Sequence, residues 1–169
     1  MHPAVPFDVT WASAGEPADV VIVQALTALL GPGPVRSGRL CPECGGSDHG
    51  NPWAVHSGEQ VPVSIARAGG HLLVVLAPGA ESVGADVEDV AAIEADWPGT
   101  VLAPGETATT TAERVALWVS KEAILKADGV GLNRSMEEVV VAEYDGDLQQ
   151  IAAPLGFAAA VALRRGSGE

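Results

Sequence analysis

The stretch 116–132, ALWVSKEAILKADGVGL, limits the possible folds of this chain more than any other. It has no Pro and no Gly before Gly129, so its spacing predicts one helix over 112–127. Counted from Val115, residues Trp118, Val119, Glu122 and Lys126 follow at +3, +4, +7 and +11. At 3.6 residues per turn they form one stripe. Glu122 and Lys126 therefore share a face with the Trp118 ring. An i,i+4 Glu→Lys pair is most often a solvated feature. Here Leu117 and Ile124 fall on the opposite side, and a helix that is apolar nearly all round is mostly buried. Buried charges need partners. Asp128-Gly129, with Gly131 following, is the expected stop.

Of 169 residues 47% are hydrophobic, enough for one domain or two small halves. With 22 acidic and 9 basic side chains the net charge is −13, which argues against nucleic acid and membrane partners. An anionic ligand must then be met by a local cluster, a metal ion or backbone N–H groups. No apolar run reaches membrane-span length, and MHPAVPFDVTW lacks the basic and apolar regions of a signal peptide. The expected compartment is the cytoplasm, and the expected state a monomer.

Along the chain, 3–11 is expected to be a short strand and 17–30 a helix, with a turn-rich break over 31–38 and a loop over 41–52. Strands are expected over 53–56, 61–66 and 71–76, with Ala68-Gly69-Gly70 turning between the last two. A fourth covers 82–88. Residues 89–98 are expected to form a short helix and 102–106 to open another. Strands over 138–143, 148–152 and 157–163 would close the fold, with 166–169 frayed. Strands grouped around a few helices give an α+β class. The order strand–helix–strands occurs before about residue 80 and again after it, which suggests two halves, 1–80 and 81–165, in one compact unit.

Asp86 and Glu88 lie two apart on an expected strand, so their carboxylates share a face while Asp89 points away. Such a pair is either a solvated strand end or an oxygen-donor site for Mg²⁺ or Mn²⁺. With Glu122 there are three carboxylates that could converge beside Lys126. Mg²⁺, a Lys and a base-competent Glu are the parts of a phosphoryl-type transfer.

Gly84-Ala85-Asp86-Val87-Glu88, followed by Trp118-Val119-Ser120-Lys121-Glu122-Ala123-Ile124-Leu125-Lys126, resembles the paired signature of the 4′-phosphopantetheinyl transferases. That signature is G-x-D-x-E, then W-x-x-K-E-x-x-x-K. The run through Gly129-Val130-Gly131-Leu132 is also similar. His49-Gly50-Asn51-Pro52 resembles the family's H-G-K-P loop, and Leu102-Ala103-Pro104-Gly105-Glu106 its L-x-P-x-E segment. The resemblance extends from about Cys41 to Leu163.

The resemblance implies two similar α+β halves related by a pseudo-twofold axis, with coenzyme A between them. It implies Mg²⁺ held by Asp86, Glu88 and Glu122, with Mn²⁺ as the other candidate. Glu122 would also take the proton from a serine of an acyl or peptidyl carrier protein, and Lys126 would serve the departing 3′,5′-ADP. Lys121 lies off the stripe and is expected at the periphery of the nucleotide or carrier protein. Carrier proteins of fatty acid, polyketide or nonribosomal peptide synthesis are the implied partners. Three departures matter. The family's phosphate-contacting His is Arg67 here, in Ser64-Ile65-Ala66-Arg67-Ala68; the basic residue of H-G-K-P is Asn51; and the short first half offers only Arg36 and Arg39 for the 3′-phosphate. These departures favour a non-catalytic module that binds coenzyme A or a carrier protein, while the intact Asp86, Glu88, Glu122 and Lys126 favour the enzyme. A pyrophosphate hydrolase would use the same carboxylates without a carrier surface. Cys41-x-x-Cys44 with His49 and His56 could begin a zinc site. No second Cys pair exists, so a loop with two reduced thiols is expected.

Overall fold

The computed structural model describes residues 5–129 and 134–166. Within them the chain forms β1 (Asp8–Ser13), α1 (Ala18–Leu30), β2 (Val35–Leu40), β3 (Asn51–His56), β4 (Glu59–Val61), β5 (Val63–Ala68), β6 (His71–Leu76), β7 (Ala80–Asp89), α2 (Val90–Ala95), α3 (Thr111–Ala127), β8 (Asp147–Ile151) and β9 (Phe157–Arg165). The class is α+β: three antiparallel three-stranded sheets, ordered β1-β6-β5, β2-β3-β4 and β7-β9-β8, with three α-helices among the described residues. None of the described helices is long and apolar enough to cross a membrane.

Strand alternation builds the layers. On β6, Leu72, Val74 and Leu76 pack with Val21, Ile22, Ala25 and Leu26 of α1. Leu73 and Val75 point the other way, against Val83, Ala85 and Val87 of β7 and Val161 and Leu163 of β9. Ala160 and Ala162 of β9 face away from that core, toward Val119, Ala123 and Leu125 of α3. The order is thus α1, sheet β1-β6-β5, sheet β7-β9-β8, α3. Strands buried on both faces read as unbroken apolar runs, as HLLVVL does. The middle core joins residues from before and after position 80, so both segments share one interior. His71 reinforces the junction, edge-on to the Trp11 ring at 6.4 Å and the Phe157 ring at 4.7 Å.

The α3 helix spans the expected residues, and its start is fixed by a capping box. The Thr110 hydroxyl accepts from Glu113 N–H at 3.2 Å, and the Glu113 carboxylate accepts from Thr110 N–H at 2.9 Å. The Thr110 and Thr109 N–H groups, with the Thr109 hydroxyl, hold the Glu113 carboxyl down at about 2. At the other end Gly129 adopts φ +69°, a left-handed conformation that suits glycine after a helix. The expected Gly131 stop and the family-like 130–132 run lie outside the described residues, as do 167–169 of the expected frayed end and 1–4 at the start.

Several expectations are corrected. The 31–38 break holds most of β2, which pairs with β3 from Val35↔His56 to Leu40↔Asn51. The strand expected over 61–66 is two strands divided at Pro62. No helix opens at 102–106. A turn forms there at Pro104-Gly105, and Glu106 folds back to accept from Ala103 N–H at 2.9 Å. The 138–143 segment is not a strand but parts of two 3₁₀ turns, Met136–Glu138 and Val141–Glu143.

Candidate functional site

Ser82, Gly84, Asp86 and Glu88 occupy the face of β7 turned toward α3. The Ser82 hydroxyl donates to Ala127 C=O at 2.7 Å. Gly84 allows the closest approach, because a Cβ there would run into Ala123 C=O and the Ala127 backbone nitrogen. This contact sets α3 directly on β7 and brings the two expected motifs together. Lys126 Nζ donates to Asp86 Oδ1 at 2.7 Å and to Ala85 C=O at 3.0 Å. Trp118 Nε1 donates to Glu88 Oε1 at 3.3 Å. Glu122, one turn before Lys126, lies close enough for the Asp86 charge to act on it. Asp89, on the other side of the strand end, caps α2 by accepting from Ala91 N–H at 2.8 Å.

Burial and mutual repulsion shape the electrostatics. Asp86 is 5% exposed, and burial pushes its carboxyl up against the opposing pull of Lys126. Glu88 is raised by burial and by the Asp86 charge, partly offset by the Trp118 hydrogen bond. Glu122 is raised by burial and by Asp86, with Lys126 opposing. Asp86 Oδ2 is buried with no hydrogen-bond partner among the described residues. An orphaned oxygen on Asp86 beside two further carboxylates is the donor type that a small hard cation such as Mg²⁺ or Mn²⁺ takes. The three carboxylates do not have oxygens all within 4.8 Å of one another. Among the described residues that closeness belongs to Cys41, Cys44 and His49.

An open cleft of about 480 Å³ meets this cluster at Lys126, while Asp86, Glu88 and Glu122 do not line it. Its walls include Ser64 and Ile65 of β5, Ala80–Val83 of β7, Lys126, Asn51, Trp53 and Arg39. Ser64 ties the walls together by accepting from Ala85 N–H at 2.9 Å. Arg39 also lines a second cleft with Arg67 and Asp19, and it donates to Gly50 C=O at 3.0 Å. The structure thus gathers Asp86, Glu88, Glu122 and Lys126, and sets Asn51 and Arg39 on the adjoining cleft. Arg67 stands exposed on the second cleft, 3.5 Å from Glu16 C=O. Arg36, three residues from Arg39 on β2, faces the opposite way and lines neither cleft.

One expected ligand contact is corrected. Lys121 is 0% exposed and cannot reach a nucleotide or partner. Its ammonium pairs with Glu106 and donates to Val101 C=O at 2.7 Å and Met136 C=O at 3.0 Å. Burial raises the Glu106 carboxyl, but hydrogen bonds from Lys121, Ala103 N–H and Val141 N–H outweigh it and hold the group low. His49 does not line the main cleft; it turns to Asp48 and Cys44. His56 is apart from the cysteines, its Nε2 3.0 Å from Gly31 C=O.

Two roles were not anticipated from the sequence. Gly84 could have been found, since a lone glycine inside a strand often marks a close backbone approach. The Trp97 ring, 6.4 Å from that of Trp118 with Arg114 over its face at 5.8 Å, had no local marker. Compared with known proteins, the chain matches no protein-family model and no curated protein sequence.

Proposed function

We propose that this chain is a 4′-phosphopantetheinyl transferase, moving the phosphopantetheine arm of coenzyme A to a serine of an apo acyl or peptidyl carrier protein. The observation that carries the reading is the meeting of Asp86 and Glu88 with Glu122 and Lys126 across the Gly84 contact, with Lys126 on the wall of an open cleft. The same strand order in two sheets also supports it. In β1-β6-β5 and in β7-β9-β8 the first strand of the segment lies next to the last, and the penultimate strand lies outside. That repeat is what two similar halves related by a pseudo-twofold axis require.

In this reading Asp86, Glu88 and Glu122 would hold the metal, and Mg²⁺ would supply charge neutralisation for the pyrophosphate of coenzyme A. Glu122, its carboxyl raised by burial, is the general base that takes the serine proton. The serine oxygen bonds to the phosphorus next to pantetheine as the bond from that phosphorus to the 3′,5′-ADP oxygen breaks. Lys126 is positioned by Asp86 and Ala85 to neutralise the negative charge on the departing group. Trp118 orients Glu88. Arg39 supplies positive charge at the other end of the cleft.

A non-catalytic module that binds coenzyme A or a carrier protein is the second reading. Asn51, uncharged on the cleft wall, and Arg67, off the main cleft, favour it. The separating experiment incubates the protein with coenzyme A, Mg²⁺ and a panel of apo carrier proteins. The transferase reading expects a carrier mass gain of one phosphopantetheine arm. Coenzyme A bound without any modified carrier would leave the binding module.

A further inference from the structure

We propose that Cys41, Cys44 and His49 form a zinc site that pins the 41–50 loop beside the cleft. This site is separate from the carboxylate cluster and does not depend on the transferase reading. The ligand atoms of the three side chains all lie within 4.8 Å of one another. His49 Nε2 is 3.4 Å from Cys44 Sγ. Tetrahedral zinc with ordinary Zn–S and Zn–N bonds separates such ligands by about 3.6 Å. The observed contact, a thiol–imidazole hydrogen bond without metal, has the spacing that two ligands on one ion need.

The backbone around the thiols is arranged for the same purpose. Gly45 N–H donates to Cys41 C=O at 2.9 Å, and Cys41 N–H to Gly46 C=O at 2.9 Å, which closes a tight knuckle. Gly46 N–H points at Cys44 Sγ at 3.3 Å, a donor that stabilises thiolate charge. Gly45 adopts φ +70°, and a Cβ on Gly46 would press on Asp48, His49 and Cys44 at 3.1–3.2 Å. The two glycines after Cys44 are what the knuckle needs. On the other side of the imidazole, Asp48 Oδ1 lies 2.7 Å from His49 Nδ1. A carboxylate there fixes the tautomer that presents Nε2 to a metal and raises its basicity. The donors, two sulfurs and one imidazole nitrogen, select zinc over Mg²⁺. Among the described residues no fourth Cys, His, Asp or Glu joins the group, which leaves the fourth tetrahedral position to water. The loop then enters Gly50 and Asn51, which line the cleft next to Arg39.

The test uses the full chain, reduced and stripped of metal, titrated with Zn²⁺ against a chromophoric chelator. The expected result is one zinc per chain, with thiolate-to-metal absorption when Co²⁺ is substituted. Cys44→Ser and His49→Ala, both at exposed positions, should weaken zinc by roughly tenfold or more, and Asp48→Asn by about 10–100-fold. Far-UV circular dichroism of each variant should match the wild type. A reduced wild type that takes up no stoichiometric zinc overturns the proposal. So does zinc held equally by the wild type, Cys44→Ser and His49→Ala, which would put the ion on the carboxylates instead.

Discussion

At Gly84 a single hydrogen stands where any other residue would put a carbon against the backbone of α3. Gly→Ala in a strand ordinarily stabilises by about 0.5–1 kcal/mol. Here overpacking should reverse the sign, and Gly84→Ala should cost about 1–3 kcal/mol in urea denaturation. A stabilised variant would mean that α3 does not sit on β7 at this point. The carboxylates beyond it give a pH signature. Asp86, Glu88 and Glu122 all have folded-state pKa values above their ordinary 3.8 or 4.5. The folded state therefore binds protons more tightly than the unfolded one. The cluster's contribution to stability is fully present below those ordinary values and is lost as pH rises through the raised ones. A divalent cation competes for the same oxygens. The rise in Tm with Mg²⁺ should be larger at about pH 8 than at about pH 5. An equal rise at both would detach the metal from this cluster. The D-x-E spacing was readable because alternation on a strand is strict. The partner of each carboxylate was not, since Lys126 and Trp118 lie 40 and 30 residues away.

At the scale of elements, α3 was legible because its apolar spacing and its cap are local. The expected strand over 138–143 failed for the opposite reason. Its run of three valines over 139–141 suggests a sheet, yet no strand among the described residues takes its backbone groups. Side chains hold this stretch instead, two of them distant in sequence and one four residues away. Glu106 accepts from Val141 N–H at 3.1 Å, Lys121 donates to Met136 C=O, and Arg134 donates to Glu138 C=O at 2.7 Å. β2 was hidden by its glycine and its two arginines, and only pairing with β3 gives it order. The Lys121–Glu106 pair is accordingly a clamp that fastens these turns to α3. Lys121→Met should destabilise by about 3–5 kcal/mol, because it leaves Glu106 without its ammonium. Coenzyme A affinity should stay unchanged in isothermal titration of the folded variant. Weaker binding at wild-type stability would return Lys121 to the ligand.

Over the whole molecule, the sparse positive charge is unevenly used. Of nine basic side chains, Lys121, Lys126, Arg134, Arg164 and Arg165 are in ion pairs, and Arg114 lies over Trp97. Among the described residues the other three, Arg36, Arg39 and Arg67, make no ion pair, and two of them line clefts. In a chain of net charge −13 that is where an anion would be drawn. The element order strand–helix–strands, which occurs before and after residue 80, could be read from the sequence. The shared middle core could not, because it depends on which faces of β6, β7 and β9 meet. The central claim is that this arrangement performs chemistry and does more than bind. It is tested most directly by Glu122→Gln, with coenzyme A binding and carrier-protein mass followed in the same samples as the wild type. Binding should fall modestly while turnover drops about 10²–10⁴-fold, the usual loss when a general base is removed. Turnover at the wild-type rate in Glu122→Gln would contradict the claim.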